Sequence, residues 1–435
     1  MIDREALDPT RASPPPPSLA PTLALTRLLG NPERSYPVLH VTGTNGKGST
    51  VAMLSCLLGA RGLRVGTYTS PDLEALNERL AIAGEAIGDV ALSELLASVA
   101  DALSWGGARG PRGAGPPEGP SRFEILTAAA LAWFADEAVD AAVVEVGMGG
   151  LNDATNVVDA QVAVVTNVSL DHVELLGPTR ADIAREKSGI VKPGSTLVLG
   201  EQDHDLVEIF RSAGASRCWE AGSDFACEST RIAHGGRVLN LRTPGGRYPD
   251  VFLPLHGAHQ GANAACALAA AEAFFDAPLH PDVVAEGFGA VVAPGRMEVV
   301  GRAPLVVLDG AHNPAGAAAA GATLAEDFGA IERWVVVMGL LAGRDPAEMV
   351  RALGAKRIGR LLACAPPSPR ALAPDVLAAG AAAVGVHAEV AETVGQALDR
   401  AARLARSDEA ILVTGSLYLV GAARTVLSGG TSPPR

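Results

Sequence analysis

The stretch Val38 to Thr50 reads VLHVTGTNGKGST and places a hydrophobic run directly before glycines 43, 46 and 48, Lys47, Ser49 and Thr50. Glycines let backbone N–H groups converge, a helix start adds the positive end of a dipole, and Lys47 adds a full charge. The combination is a phosphate cradle, with Gly43, Thr44, Asn45, Gly46, Lys47, Gly48, Ser49 and Thr50 as candidate contacts. It departs from the common GxxxxGK(S/T) spacing, because Val41 stands where the first glycine belongs and Gly48 separates the lysine from the hydroxyl. A plain strand-to-helix turn is the competing reading, disfavoured because strand, glycines, lysine and hydroxyls coincide.

Other residues carry weaker signals of their own. Glu145 ends an apolar run, the place where open α/β sheets present functional carboxylates, although a solvated or capping glutamate is equally compatible. His172, in SLDH, read alone is a structural histidine, and Lys187, in REKSGI, is a solvated helix charge. Asp309, His312 and Asn313 follow the apolar run LVVLD, and Asn313 before Pro314 fits a helix N-cap. There is no GxSxG and no placed Cys/His pair, so no side-chain nucleophile is indicated.

The elements that must position these residues alternate as strand and helix. Strands are expected at Tyr36 to Thr42, Arg64 to Tyr68, Ala141 to Val146, Val162 to Thr166 and Thr196 to Leu199, with helices near Leu23 to Leu29, Ser49 to Arg61 and Arg122 to Asp136. Such alternation predicts an α/β fold with a mostly parallel sheet. A second set, at Leu305 to Leu308, Trp334 to Met338, Arg360 to Cys364 and Ala410 to Val413, predicts a smaller α/β domain after a hinge at Pro294 to Glu298. The expected organisation is a disordered tail over 1–18, a nucleotide-binding domain over 19–295 and a C-terminal domain over 296–435. Residues 106–120, rich in Gly, Pro and Arg, read as a mobile surface insertion.

A net charge of -13 argues against a general nucleic-acid binder, whose affinity rests on basic surfaces. The five cysteines have no metal-type spacing and are odd in number, which reads as reduced thiols. No stretch near the N-terminus has signal-peptide or membrane-span character, so a cytoplasmic protein without membrane partners is expected, and a monomer.

At the phosphate loop the sequence resembles the Mur ligase superfamily, and within it the folylpolyglutamate synthase and dihydrofolate synthase family, whose loop carries the glycine between lysine and serine. The resemblance continues through TSPDLEALNERL (69–80), FEILTAAAL (123–131), EVGMGGLNDATN (145–156), SLDHVELLG (169–177), IAREKSGIVKPG (183–194), HQGAN (259–263), PGRME (294–298), DGAHNP (309–314), MGLLAGRD (338–345) and TGS (414–416). It implies an ADP-forming ligase that uses ATP and Mg²⁺ to activate a carboxylate as an acyl phosphate and joins it to L-glutamate. The acceptor would be a folate or dihydropteroate. Ser70, Glu145 and His172 would hold magnesium, and Lys187 would be carbamylated. Asn263, Arg296 and Asp309 would contact nucleotide, with Lys47, Lys187, Asp309 and His312 catalytic. Phe123, Glu124, Asp153 and Ser416 would bind substrate. Asp72 and the pair Leu151-Asn152 depart from the family pattern, which favours folate over dihydropteroate as acceptor. A cell-wall precursor ligase would carry a uridine-nucleotide domain before the phosphate loop, and a non-catalytic nucleotide-binding regulator would lack part of the magnesium set.

Overall fold

The computed structural model describes residues 18–109 and 119–429. Two parallel-rich sheets carry the chain, joined by a small antiparallel one. The first sheet contains β1 (Val38–Thr42), β2 (Val65–Tyr68), β3 (Leu80–Ile82), β4 (Glu85–Ala86), β5 (Ala141–Glu145), β6 (Val162–Val165), β7 (Thr196–Leu199) and β8 (Arg217–Glu220). Their order is β4-β3-β2-β5-β1-β6-β7-β8, and only the β2–β3 and β3–β4 pairings are antiparallel. Strands β9 (Ala226–Ala233), β10 (Gly236–Thr243) and β11 (Gly246–Leu253) form the antiparallel sheet. The last sheet has β12 (Glu298–Arg302), β13 (Leu305–Asp309), β14 (Trp334–Met338), β15 (Ile358–Ala363), β16 (Ala388–Val390) and β17 (Ala410–Thr414) in the order β12-β13-β17-β14-β15-β16.

Helices cover both faces of each large sheet. In the first part of the chain these are α1 (Ala20–Leu28), α2 (Lys47–Ala60), α3 (Asp89–Arg109), α4 (Arg122–Asp136), α5 (Val173–Leu176), α6 (Arg180–Ser188), α7 (His204–Arg211), α8 (His259–Phe275) and α9 (Pro281–Gly289). In the second they are α10 (Pro314–Glu326), α11 (Pro346–Leu353), α12 (Pro374–Ala383), α13 (Val394–Leu404) and α14 (Leu417–Ser428). Alternation along a strand assigns each side chain to one face: Leu39 and Val41 of β1 join the core beneath α2 and α8, whereas Val38 joins the core beneath α4. Helix α8 is alanine-rich and buried almost all round, because it is sandwiched between the large sheet and the antiparallel one.

This architecture matches the α/β expectation, with instructive differences. The antiparallel sheet and the edge strand β12 were not foreseen. The segment expected to be an insertion over 106–120 begins inside α3, which continues to Arg109, while 110–118 and the tail 1–17 lie outside the described residues. Among the described residues no helix is long and apolar enough to cross a membrane. The five cysteines are all free.

What the topology does for function follows from strand order. The parallel neighbours of β1 are β5 and β6, with Val41 opposite Glu145 and Thr42 opposite Val165. The chain leaves β1 toward one side of the sheet and returns to the other, so a crevice opens at the carboxyl ends of these three strands. The C-terminal sheet repeats the arrangement, with Asp309 and Met338 both opposite Thr414.

Candidate active site

The carboxyl ends of the two sheets face one cavity of about 210 Å³, lined by Gly43 to Ser49, Ser70, Glu145, His172, Lys187, Asn263, Arg296, Asp309 and His312 among others. Residues named from separate stretches of sequence therefore converge. The loop after β1 is held by a polar lattice. Asn45 N–H donates to Asn167 Oδ1 (3.1 Å), Asn167 Nδ2 and Thr166 Oγ1 donate to the Asn45 carbonyl (2.8 and 2.6 Å), and Thr44 Oγ1 donates to the Ser169 carbonyl (3.1 Å). Gly46 has φ 84, and a Cβ there would lie 2.3 Å from Asn263 Oδ1, so backbone conformation and space both demand glycine. Gly48 serves differently: a Cβ would point between Glu145 Oε2 (3.6 Å) and Arg296 Nη2 (3.8 Å), into the space the cradle leaves for a ligand. Lys47 Nζ donates to the Gly43 carbonyl at 3.1 Å, which fixes the ammonium at the mouth of the loop.

The carboxylate at the end of β5 is buried, and Glu145 Oε2 accepts from Ser70 N–H at 3.3 Å. Burial raises its pKa, opposed by the charges of Lys47 and Arg296. His172 adopts φ 50 at the start of α5, and burial lowers its pKa, which leaves a neutral imidazole able to act as a ligand. Ser70, Glu145 and His172 supply too few groups to enclose a cation, and among the described residues no cluster of three or more His, Cys, Asp or Glu does so. This donor set fits Mg²⁺, which keeps waters and takes phosphate oxygens to complete its shell.

Lys187, on α6, is 3 % exposed, and burial and then the like charge of Lys47 lower its pKa to about 7. The solvated-charge reading is thereby replaced by a half-neutral buried amine.

The C-terminal domain contributes from the ends of β13 and β14. Asp309 Oδ1 accepts from Ala311 N–H and Oδ2 from Met297 N–H, both at 3.0 Å, which pins the hinge residue Met297 (φ 48) beside Arg296. His312 Nδ1 lies 2.9 Å from the Gly310 carbonyl, so Nδ1 carries the proton and Nε2 faces Asp171 Oδ2 at 3.7 Å. Burial holds the His312 pKa down at about 4, leaving it neutral. Asn313 both caps and bridges. Its Oδ1 accepts from Gly316 N–H (2.8 Å), while Nδ2 donates to Asp171 Oδ2 (2.9 Å) and Asn45 Oδ1 (3.0 Å).

Two residues that belong here were not singled out from sequence. Asp171 pairs with Arg344 at 2.6 Å, and both side chains are largely buried. Burial opposes ionisation of Asp171, yet His172 and His312 when protonated, the Arg344 guanidinium and the Asn313 amide outweigh it and lower its pKa. Both lie in stretches that carry the resemblance, Asp171 beside His172 in SLDHVELLG and Arg344 in MGLLAGRD, but neither was assigned a role of its own. Four expected substrate residues stand outside the cavity lining. Glu124 closes a capping box with Ser121 at the start of α4, and Ser416 caps α14 by accepting from Tyr418 N–H (3.2 Å). Phe123 and Asp153 flank Gly147, whose Cβ would meet Phe123 Cζ at 2.5 Å and Asp153 Oδ2 at 3.1 Å. Gly147 itself lines the cavity, so these two form an adjoining wall.

The Mur ligase middle domain matches residues 41–271 and the Mur ligase glutamate ligase domain matches residues 295–417. A dihydrofolate synthase/folylpolyglutamate synthase of Mycobacterium tuberculosis is 42% identical, over 94% of this chain and 90% of that protein. The chain belongs to the folylpolyglutamate synthase/dihydrofolate synthase family of Mur ligases. A folylpolyglutamate synthase of Lacticaseibacillus casei is 36% identical, with 94% of each chain covered. Among solved structures, Mycobacterium tuberculosis folylpolyglutamate synthase complexed with ADP superposes with a TM-score of 0.90 at 40% identity, covering 96% of both chains. An FPGS-AMPPCP-folate complex superposes with a TM-score of 0.83 at 32% identity, again over 96% of each chain. These similarities span both sheets and the cleft between them.

Proposed function

We propose that the protein is an ATP-dependent, ADP-forming ligase that joins L-glutamate to the carboxylate of a folate, with dihydropteroate as a second acceptor. The observation that carries this reading is the convergence, in one cavity, of the Lys47 cradle with Glu145, Arg296, Lys187 and His312 from both domains. A carboxylate resists attack by an amine until one of its oxygens becomes a leaving group. Its oxygen attacks the γ-phosphorus of ATP, the bond to the β,γ-bridging oxygen breaks, and ADP leaves behind an acyl phosphate. The glutamate amine then attacks the acyl carbon, phosphate departs, and the amine gives up a proton. Catalysis of this kind is chiefly positioning and charge stabilisation.

The residues divide this work. Lys47 and Arg296 approach the phosphates from opposite domains and offset their charge. Ser70, Glu145 and His172 are suited to hold Mg²⁺, which when bound neutralises phosphate oxygens. Lys187 as a carbamate would be an anion that orients the metal shell, and its lowered pKa of about 7 supports this, because only the neutral amine reacts with CO₂. His312 Nε2, unprotonated and turned into the cleft, suits contact with the incoming ammonium or amine. Asn263 shapes the loop, and Phe123 offers a stacking face toward the acceptor ring, backed by the buried Asp153, whose oxygens accept from Met148 N–H (2.8 Å) and Thr155 N–H (3.0 Å). Residues 19–295 act as the ATP-binding unit and 296–435 as the glutamate-ligase unit, a division the two large sheets support.

The deciding experiment supplies ATP, Mg²⁺ and L-glutamate with either tetrahydrofolate or dihydropteroate. Phosphate release should require an acceptor and be matched by an amide product in mass spectrometry. Hydrolysis of equal rate without acceptor and without amide refutes the ligase. Asp72, engaged by Arg79 at 2.6 Å, and Leu151, half exposed, lead us to expect faster turnover with the folate.

A further inference from the structure

We propose that Arg237 and Asp327 are positioning residues of the ligation reaction: their buried ion pair anchors the C-terminal end of α10 to the central domain, so that Asn313 at its other end meets the phosphate loop. The proposal rests on the ligase reading above.

Arg237 lies on β10, in the antiparallel sheet whose role the reaction otherwise leaves unexplained, and its side chain is 0 % exposed. A guanidinium deprived of water must have its donors satisfied. Nη2 donates to Asp327 Oδ1 (2.7 Å), Nε to Asp327 Oδ2 (3.3 Å) and Nη1 to Thr230 Oγ1 (3.0 Å), and Glu326 Oε1 lies 2.9 Å from Nη2. The two Asp327 contacts form a fork on one carboxylate, the geometry that fixes orientation as well as distance. Asp327 is itself fully buried and also accepts from Gly257 N–H (3.0 Å), with His256 Nδ1 3.3 Å away. The His256 ring rests on Phe328 (4.8 Å between centroids), and Phe328 meets Trp334 edge-on in the C-terminal core.

The location of this cluster explains its consequence for chemistry. Asp327 is the residue after α10, and Gly257 lies two residues before α8. Both helices project their N-terminal ends onto the phosphate loop, α10 through Asn313 to Asn45 and α8 through Asn263, which crowds Gly46. Helix α10 has 13 residues and spans ~20 Å, so a tilt of about 5° pivoting at Asp327 displaces Asn313 by about 2 Å, enough to break its hydrogen bonds. Its sequence, PAGAAAAGATLAE, presents mostly small side chains, whose smooth surfaces set helix register weakly. The directional ion pair supplies what that packing lacks.

The test uses full-length Arg237→Met, Arg237→Lys, Asp327→Asn and Asn313→Ala. Asp327→Asn keeps shape and acceptor oxygen, so it remains informative if Arg237→Met fails to fold. ADP affinity, set by the central-domain cradle, should stay within about threefold, while kcat falls at least about tenfold in Asp327→Asn and Arg237→Met and recovers partly in Arg237→Lys. Amide exchange over 311–320 should accelerate, and adding Asp327→Asn to Asn313→Ala should cost little more than Asn313→Ala alone. Wild-type kcat in Asp327→Asn, unchanged exchange over 311–320, multiplicative effects in the double variant, or a loss of ADP affinity in step with kcat would each overturn the proposal. A wild-type chain without ligase activity would refute the ligase reading instead, and the exchange measurement would still decide whether the pair orders α10.

Discussion

Replacing Lys187 by methionine should stabilise the protein and abolish its activity. An ordinary lysine at pH 7 is neutral in roughly one molecule in 3000. Lys187, with its pKa lowered to about 7 by burial and by Lys47, is neutral in about half. Availability to CO₂ thus rises about a thousandfold, which is the functional return on a buried amine. The cost falls on stability. Because the folded pKa lies below the unfolded one, the unfolded chain binds more protons between about pH 7 and 10.5, and stability rises with pH across that window. Below pH 7 both states hold the proton and the penalty is complete, on the order of 4–5 kcal/mol. Methionine has nearly the same shape without the charge. In CO₂-free buffer at pH 6, Lys187→Met should therefore shift the urea midpoint upward, and the gain should shrink as pH climbs toward 10. Phosphate release should be lost in that variant, and Lys187→Ala should regain part of it with a short carboxylate such as acetate. A midpoint lowered at pH 6, or a gain that does not change with pH, would refute the account of the buried amine; absence of acetate rescue would count against the carbamate.

Other perturbations address the cradle and the domain junction. Lys47→Ala should eliminate turnover and weaken ADP binding at least about a hundredfold in calorimetry, since the single charge at the loop mouth is removed. Gly46→Ala should do the same through shape: φ 84 costs an L residue roughly 1–2 kcal/mol, and Asn263 Oδ1 at 2.3 Å must also move, so nucleotide binding should fall without loss of the global fold seen by circular dichroism. Arg344→Met should leave ADP affinity nearly intact but reduce kcat about tenfold or more, because it strands the buried Asp171 carboxylate at the domain junction. Wild-type kcat in that variant would show that the Asp171–Arg344 pair does not order the junction.

Local chemistry was legible where it was self-contained. Helix α4 spans Arg122 to Asp136 as its periodicity predicts, and a capping box between Ser121 and Glu124 fixes its start. The phosphate loop was legible because its strand, glycines and lysine are contiguous. Strands β9 to β11 were missed: much of β9 faces solvent, so apolar alternation is faint there, and antiparallel pairing leaves no helix between strands to mark it. Edge strand β12 is largely exposed for the same reason. Within the site, the stretches that hold Asp171 and Arg344 were legible, but the pair was not, because its two halves lie in different domains and meet only in the fold. Asn313 shows the converse: its Oδ1 makes the expected cap on Gly316, while the bridge from its Nδ2 to Asp171 and Asn45 left no mark in the local sequence.

The geometry also redistributes roles inside the cleft. Asp309 was expected to be catalytic, yet both its oxygens are engaged by backbone N–H groups, of Ala311 and of Met297. A carboxylate so occupied is poorly placed to exchange protons with substrate; what it controls is the hinge. Met297 sits at φ 48, a conformation that a non-glycine residue does not choose unaided, and the bond from Asp309 holds it there. The residue before Met297 is Arg296, whose guanidinium the hinge brings up against Gly48 and Glu145. Burial raises the pKa of Asp309 and Arg296 opposes that rise, so ionisation of Asp309 and placement of Arg296 support each other. We therefore infer that Asp309 acts at one remove from the phosphate, as the group that turns a strained hinge into a fixed arginine.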